Sequence, residues 1–355
     1  TSWYLKTTAV KDNLIANNNA VNWIPAHIKG GRMGEWLANN RDWALSRNRY
    51  WGTPLPIWKC SACENEIVVG SIEELSKLSG KDQSKTDLHK PFVDEIAIKC
   101  PKCTQSMKRV PFVLDCCYDS GAMPFAQASW PFTQSKNSDT REIDFPADFI
   151  TEGVDQTRGW FYTLLAVSTL LGFGPPYKNV ISLGHVLDKD GKKMSKSIGN
   201  VVPPDYVIEK FGADVARWWF YRVNQAGESK SFKEEELKEI SNGFVRVLVN
   251  SLRFWQLYQD KKLEIRNEKV DFHKVDAKSL TLLDQWLLSK WSGLINSVTK
   301  SLDEYDATTA SREIERFVIE DLSNWWIRRS RDKFQLEQGS YQNGLLRFVL
   351  LELAK

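Results

Sequence analysis

Residues 147–200 read ADFITEGVDQTRGWFYTLLAVSTLLGFGPPYKNVISLGHVLDKDGKKMSKSIGN, and their order decides the fold. The run ADFIT predicts a strand that ends at Glu152 and Gly153. A helix follows over GWFYTLLAVSTLLGF. Gly172 and Gly174 close it, and Pro175–Pro176 bars continuation, because proline has no N–H to donate. A second strand, NVISLG, leads into the loop LDKDGKKMSKSIGN. Strand, helix and strand, with a polar loop after the second strand, make a parallel βαβ unit. Ligands in such α/β sheets bind outside the carboxyl ends of the strands. The polar residues 152–156 and 191–200 fall at those ends.

Outward from this core the pattern changes twice. Residues 1–58 mix short strands with a polar helix over GGRMGEWLANNRDWALSRNRYWG, in which Met33, Trp36 and Leu37 fall at helical spacing. Residues 59–108 hold four of the six cysteines and a lysine- and serine-rich loop, KLSGKDQSKTD, read as exposed and mobile. From about residue 231 the chain turns helical. Phe244, Val245, Val247, Leu248, Leu252 and Trp255 make one stripe. Leu283, Trp286, Leu287 and Trp291 make a second. Ile314, Phe317, Val318, Leu322, Trp325 and Trp326 make a third. Three amphipathic helices with little strand signal read as a bundle. No repeat of fixed period is apparent.

At 355 residues the chain is too long for one ordinary domain and suggests two or three. With 42% apolar and 26% charged residues it is globular, not disordered. The 15 tryptophans imply large buried rings. A net charge of +3 is compatible with a nucleic-acid partner but does not argue for one, so local clusters must carry that case. The start, TSWYLKTTAV, has no apolar core of a signal peptide. The longest apolar run, residues 164–174, is far short of the ~20 residues that span a bilayer. The expectation is a cytoplasmic monomer with no membrane partner. The chain begins without Met on what reads as a strand, which suggests a piece of something longer.

Two motifs carry chemistry. In Lys193-Met194-Ser195-Lys196-Ser197, two ammonium groups and two hydroxyls share one loop, preceded by Asp190–Gly191. Such lysines neutralise a polyphosphate whose charge builds as pyrophosphate leaves, and the hydroxyls donate to the same oxygens. The plain alternative is a solvated basic loop; a position at the end of a parallel strand argues against it. The second motif pairs Cys60-Ser-Ala-Cys63 with Cys100-Pro-Lys-Cys103. Two CxxC pairs each chelate one side of a tetrahedral ion and close a four-cysteine zinc site. Four thiolates leave no open position, so such a metal is structural. The reducing cytosol disfavours disulfides.

The string KMSKS is similar to the second signature of class I aminoacyl-tRNA synthetases. The blocks RDWALSRNRYWGTPLPIW, PADFITEGVDQTRGWFYTLL, NVISLGHVLDKDGKKMSKSIGNVV and NWWIRRSRDKF resemble the isoleucyl family. The resemblance covers most of residues 1–230 and, more weakly, 231–355. EGVDQTRGW separates this family from the valyl enzymes, which are more apolar there. The resemblance implies the second half of a Rossmann-like nucleotide-binding fold with a zinc knuckle, followed by an α-helical bundle. In its terms, residues 1–58 return from an editing insertion and 59–108 form the knuckle. Residues 109–200 are the second catalytic half with the KMSKS loop, 201–230 a stem-contact and connecting segment, and 231–355 a truncated helical anticodon-binding domain.

The implied reaction joins isoleucine to ATP, giving isoleucyl-adenylate, then passes the isoleucyl group to tRNA(Ile). ATP, Mg2+ and Zn2+ are the implied cofactors. Glu152, Gly153, Asp155 and Gln156 are implied to hold the adenylate, with an N-terminal helix cap as the other reading of Asp155. Lys196 is implied to contact ATP, supported by Lys193, with Ser195 and Ser197 beside them. Trp160 falls where the family lines its isoleucine pocket, with simple core packing as the alternative. Cys117, in Asp115-Cys116-Cys117-Tyr118-Asp119-Ser120-Gly121, stands where the family has a tryptophan, which puts strict isoleucine selection in question. Redox sensing by Cys116–Cys117 is the weaker reading. His185 reads as a bystander. Arg328, Arg329 and Arg331 are candidate tRNA contacts, although cations suit any helix C-terminus.

The family's first signature, HIGH, has no counterpart here; His27 and His185 do not match it. The expectation is half an active site that needs the missing N-terminal half of a synthetase as partner and is inactive alone. The alternatives are a non-catalytic tRNA-binding module or a related valyl-type synthetase. An intact enzyme of another nucleotidyl-transfer type is disfavoured by the lack of a phosphate-binding glycine loop.

Overall fold

The computed structural model describes residues 2–131, 145–258, 280–335 and 340–355. The chain forms two compact units, Thr1–Ser182 and Leu183–Lys355.

In the first unit the strand Ala147–Gly153, the helix Trp160–Leu170 and the strand Tyr177–Leu183 follow one another as the sequence predicts. Tyr177–Leu183 lies centrally between Ala147–Gly153 and Asn22–Ile24. It runs parallel to the latter, with Val180 opposite Trp23. The Ala147 N–H reaches Pro176 O at 3.0 Å where both flanking strands begin, so their carboxyl ends emerge on one side. The helix is buried from Phe161 through Thr169, which explains why its sequence is apolar all round. It packs on Leu14, Trp23, Met33 and Leu37, and Trp23 meets Phe161 edge-on at 5.7 Å.

The polar helix expected over residues 30–52 is much shorter. It runs only over Lys29–Met33 and Gly34–Ala38. Asn39 ends it by returning its side chain to Glu35 O at 2.9 Å. Trp43–Ala44 then pairs antiparallel with Tyr4–Leu5. Strand pairing with the start of the chain overrides the local helical pattern.

Residues 57–109 form a four-stranded antiparallel sheet, ordered Glu66–Val68, Ile57–Cys60, Ser106–Arg109, Ile98–Lys99. Its core is Trp58, Val69, Leu75, Val93, Ile96 and Met107, and the Trp58 indole donates to Ile96 O at 2.8 Å. The helix Ile72–Ser79 starts at Ser71, whose hydroxyl accepts from the Glu74 N–H. The KLSGKDQSKTD segment after it is tied down rather than free. Gln83 is buried, its N–H bonds Ser76 Oγ at 2.9 Å and its side chain donates to Ser79 Oγ.

The second unit is chiefly helical. A short parallel ladder, Val186–Leu187 on Lys230–Ser231, stands at its start. Glu234–Ile240 continues through the wider turn Ser241–Val245 into Arg246–Tyr258. Leu282–Asp303 follows, then Ala307–Arg316, which runs on through Phe317–Ile327. The shared core holds Phe244, Leu287, Trp291, Phe317, Val318, Leu322 and Trp326. Trp326 donates its indole N–H to the buried Asp284 carboxylate at 2.9 Å, so that polar group is satisfied. Two stripe residues face out instead: Leu252 is 41% and Trp325 46% exposed. Leu252 follows a stretch of i→i+5 turns and Trp325 lies within one, and such turns rotate residues away from a 3.6-residue face.

Candidate functional site

At the carboxyl end of Ala147–Gly153 the backbone turns through Val154–Arg158 into the helix. Glu152 and Asp155 are exposed, and Gln156 is half-buried. Gln156, not Asp155, caps the helix: its Oε1 accepts the Trp160 N–H at 2.8 Å. Its Nε2 donates to Asp155 Oδ2 at 2.9 Å, so one amide fixes both the helix start and the carboxylate. A Cβ on Gly153 would lie 2.6 Å from Asp155 Oδ1. The absence of a side chain lets this carboxylate fold back over the strand end. Glu152 keeps its carboxylate toward solvent, with only a long 3.4 Å contact to the Gly153 N–H.

The helix Cys116–Ala126 packs against this turn and helix. Trp160 donates its indole N–H to Ser120 O at 3.3 Å, and Ser120 in turn bonds Cys117 O. Trp160 and Cys117, both half-buried, therefore sit on neighbouring helices joined through Ser120. Asp115 caps the helix by accepting the Cys117 N–H. Its other oxygen takes Arg47 at 2.7 Å and the Trp43 indole at 3.2 Å. Asp115, Cys116 and Cys117 lie close enough to suggest a metal triad, but the Arg47 pairing commits the carboxylate to the protein. Burial, the Asp115 charge and Cys116 all raise the Cys117 thiol above its ordinary value, which makes it a poor nucleophile.

In the second unit, the loop after Val186–Leu187 is built around Asp188 and Asn200. Asp188 Oδ1 accepts the N–H groups of Asp190 and Lys192 at 3.0 and 2.8 Å. Asp188 Oδ2 accepts Asn200 Nδ2 at 2.7 Å. Asn200 Oδ1 takes the Ser195 N–H at 2.8 Å. Ser195 and Ser197 share a hydroxyl bond of 2.6 Å. The Asn200 side chain and the Lys192 N–H hold the Asp188 carboxyl below its usual range. Lys193 and Lys196 are exposed, with no ion-pair partner among the described residues. The loop stands on a close strand contact: at Gly184, a Cβ would collide with the Glu228 carbonyl. His185 is exposed, and its carbonyl takes the Lys230 N–H.

The cysteines form two like hairpin turns. The Cys60 N–H bonds Asn65 O, and the Cys100 N–H bonds Gln105 O. Glu64 and Thr104, each just after the second cysteine, take the left-handed conformation. Sγ of Cys60 lies 3.5 Å from that of Cys103, and Cys63 the same distance from Cys100. All four sulfurs fall within 4.8 Å of one another. A tetrahedral Zn2+ with ~2.3 Å bonds needs sulfurs about 3.8 Å apart, so the cradle fits. The Cys63 and Ala62 N–H groups lower the Cys60 thiol. Burial works against Cys100, but the Cys103 and Lys102 N–H groups bring it down to about 6. Cys103 accepts a favourable bond from Gln105 but is pushed up by its sulfur neighbours, Cys63 first. Without a cation, four thiolates in contact repel; with one, all four ionise.

Residues 1–233 match the family model for tRNA synthetases class I (I, L, M and V). The chain belongs to the class I tRNA synthetase family. Residues 284–355 match the model for the anticodon-binding domain of tRNA ligase. Among curated proteins, the chain is 49% identical over 335 residues to an isoleucine--tRNA ligase of Dehalococcoides mccartyi, covering 94% of this chain and 32% of that protein. It is 47% identical over 334 residues to isoleucine--tRNA ligase 2 of Bacillus cereus, covering 94% and 31%. The chain thus spans about a third of the curated relatives it matches. Among solved structures, Mycobacterium tuberculosis methionyl-tRNA synthetase with methionyl-adenylate aligns with a TM-score of 0.64 at 17% identity, over 99% of this chain and 58% of that one. The Agrobacterium radiobacter LeuRS–tRNA–LeuAMS complex aligns with a TM-score of 0.61 at 20% identity, over 92% and 42%. These two share the class I synthetase fold with this chain.

Within the stretch matched to the anticodon-binding model, Arg328, Arg329 and Arg331 are exposed. Arg329 lies over the Trp325 ring at 4.6 Å, and Trp325 lies 6.1 Å from Trp286. The residues that sequence reading missed in this synthetase chain are the organisers: Asp188, Asn200, Asp115 and Arg47. Asn200 sat inside the quoted loop motif, but nothing local names Asp188 as its partner.

Proposed function

We propose that this chain supplies the KMSKS half of an isoleucine–tRNA ligase, activating isoleucine with ATP and charging tRNA(Ile). The supporting observation is the loop: two exposed ammonium groups, Lys193 and Lys196, with no ion-pair partner among the described residues, on a braced turn of a class I synthetase chain. In the proposed reaction an isoleucine carboxylate oxygen attacks the α-phosphorus of ATP. The bond to the bridging oxygen breaks and pyrophosphate leaves with that electron pair. Lys196, supported by Lys193, neutralises the leaving charge, and Ser195 and Ser197 donate to the same oxygens. Glu152, Gly153, Asp155 and Gln156 hold the adenylate, and Trp160 with Cys117 borders the isoleucine side chain. A ribose hydroxyl of tRNA then attacks the isoleucyl carbonyl, and AMP departs. Arg328, Arg329 and Arg331 meet tRNA phosphates.

Mg2+ would accompany ATP, and Zn2+ would be held by Cys60, Cys63, Cys100 and Cys103 as a structural ion. HIGH is not among these 355 residues, so we assign the complete reaction to the protein that also carries it. Isoleucine-dependent ATP–pyrophosphate exchange tests the reading. Residues 1–355 alone should stay at background, and the full-length protein should exchange with isoleucine in preference to valine. Exchange by residues 1–355 alone would refute the half-site reading. Preference for valine would favour a valyl-type enzyme, and RNA binding with no exchange in the full-length protein would favour a binding module.

A further inference from the structure

We infer that Asp188 and Asn200 are positioning residues, a clasp that holds the Lys193–Ser197 backbone so that the lysine ammonium groups stay unpaired and aimed for phosphate. The inference rests on the functional reading above and adds residues to it. A carboxylate in a loop with Lys189, Lys192, Lys193 and Lys196 would ordinarily capture one of them as an ion pair. Here its hydrogen bonds go elsewhere: to the Asp190 and Lys192 N–H groups and to Asn200 Nδ2. None of the four lysines has an ion-pair partner among the described residues. The carboxylate is thereby spent on backbone shape, and the cations remain for an anionic ligand.

Asn200 does the matching work from the far end of the loop. Its Oδ1 takes the Ser195 N–H at 2.8 Å, and its Nδ2 also reaches Lys193 O at 3.2 Å. It therefore grips the residues on both sides of Met194, next to Lys196. The loop has little apolar anchoring of its own: Ile198 is 69% exposed. Backbone turns fix part of its shape, with the Asp188 N–H on Lys192 O at 2.8 Å, the Gly199 N–H on Ser195 O at 3.1 Å and a bridge between Leu187 and Lys193. The Asp188 and Asn200 side chains tie these turns to one another. At its foot, Lys230 is buried and donates to the Asn224 and Gln225 carbonyls, anchoring the strand on which Val186–Leu187 rests. The clasp thus connects an anchored strand to the two exposed cations.

Two measurements test this. In Asn200→Ala, amide hydrogen exchange over residues 193–199 should quicken by about tenfold or more, as expected for losing a hydrogen bond to a charged group. In pyrophosphate exchange by the full-length protein, Asn200→Ala should lower kcat by about tenfold and leave the isoleucine KM within about twofold. The decisive readout is the double variant. In a Lys196→Ala background, Asn200→Ala should cost no more than about twofold, because the group it positions is gone. An equal cost in both backgrounds, or unchanged amide exchange in Asn200→Ala, would overturn the inference. If the wild-type full-length protein shows no exchange, the functional reading falls and positioning falls with it. The amide result then still decides whether the clasp exists.

Discussion

The cysteine module and the KMSKS loop solve opposite problems. Both are turns at strand ends, and both gather groups of like charge. The cysteine module brings four sulfurs within 4.8 Å and closes them on one another. The KMSKS loop keeps its lysines exposed and lets Asp188 and Asn200 hold the backbone instead. The first arrangement suits a cation that neutralises its thiolates. The second requires that no anion of the protein intervene. A site suited to a resident ion turns its ligands on one another, even where Cys63 is exposed, and a site that meets a transient charge leaves its cations bare.

The largest expected effect breaks the cysteine half of that contrast. Stripping the metal, or Cys63→Ser, should unfold residues 57–109 locally, since structural zinc contributes about 10–16 kcal/mol of apparent binding energy in small zinc folds. Elemental analysis should give about one zinc per chain before treatment. Amide exchange should then rise across the four-stranded sheet while the core around Phe161 stays protected. A metal-free protein with this sheet intact would show that the Trp58, Leu75 and Met107 core is sufficient without an ion.

The second effect tests the loop half. In the full-length protein, Lys196→Ala should lower the rate of pyrophosphate exchange by about a hundred- to a thousandfold, the cost of losing one pre-placed charge at a developing oxyanion, about 3–4 kcal/mol. Isoleucine binding should change little. Arginine at this position should rescue only partly, because a planar fork does not replace a compact ammonium. Glu152→Gln should weaken adenylate retention as well as rate. A rate within about twofold of wild type for Lys196→Ala, with weakened tRNA binding, would make the loop a docking surface.

The two regions were also unequally legible. Cys60, Cys63, Cys100 and Cys103 announce themselves because each half of the cradle is local, two residues of spacing inside one turn. The strand–helix–strand unit was legible because the Phe161–Thr169 run is apolar throughout and glycines and prolines bracket it. Partner choice was not legible. Composition favours Asp155 as the helix cap, and only the folded turn gives the role to Gln156. Asp188 and Asn200 are twelve positions apart, and a carboxylate among four lysines reads as an ion pair until the backbone is seen. Leu252 and Trp325 failed for a different reason: wider helical turns shift the buried face, and no residue type marks such a turn.

The smallest expected effect sharpens the contrast by titration. Asp188 has a lowered carboxyl because the Asn200 side chain and the Lys192 N–H stabilise its charged form. A depressed folded pKa means that the ionised clasp stabilises the loop above the unfolded carboxylate value, near 3.9, and that this contribution is lost as pH falls through the lower folded value. The side-chain amide signals of Asn200 in NMR should therefore hold steady from neutral pH down to about 4, and shift only below it. Asp188→Asn should abolish that late shift and display a loosened loop already at neutral pH. Its effect should be smaller than that of Asn200→Ala, since an amide oxygen still accepts from the Asp190 and Lys192 N–H groups. The half-buried setting keeps the energy modest, because water still competes for the same bonds. A shift of the Asn200 signals centred well above pH 4 would mean that some group other than Asp188 controls them. The contrast between a closed cysteine cradle and a carboxylate-held basic loop would then lose its second half.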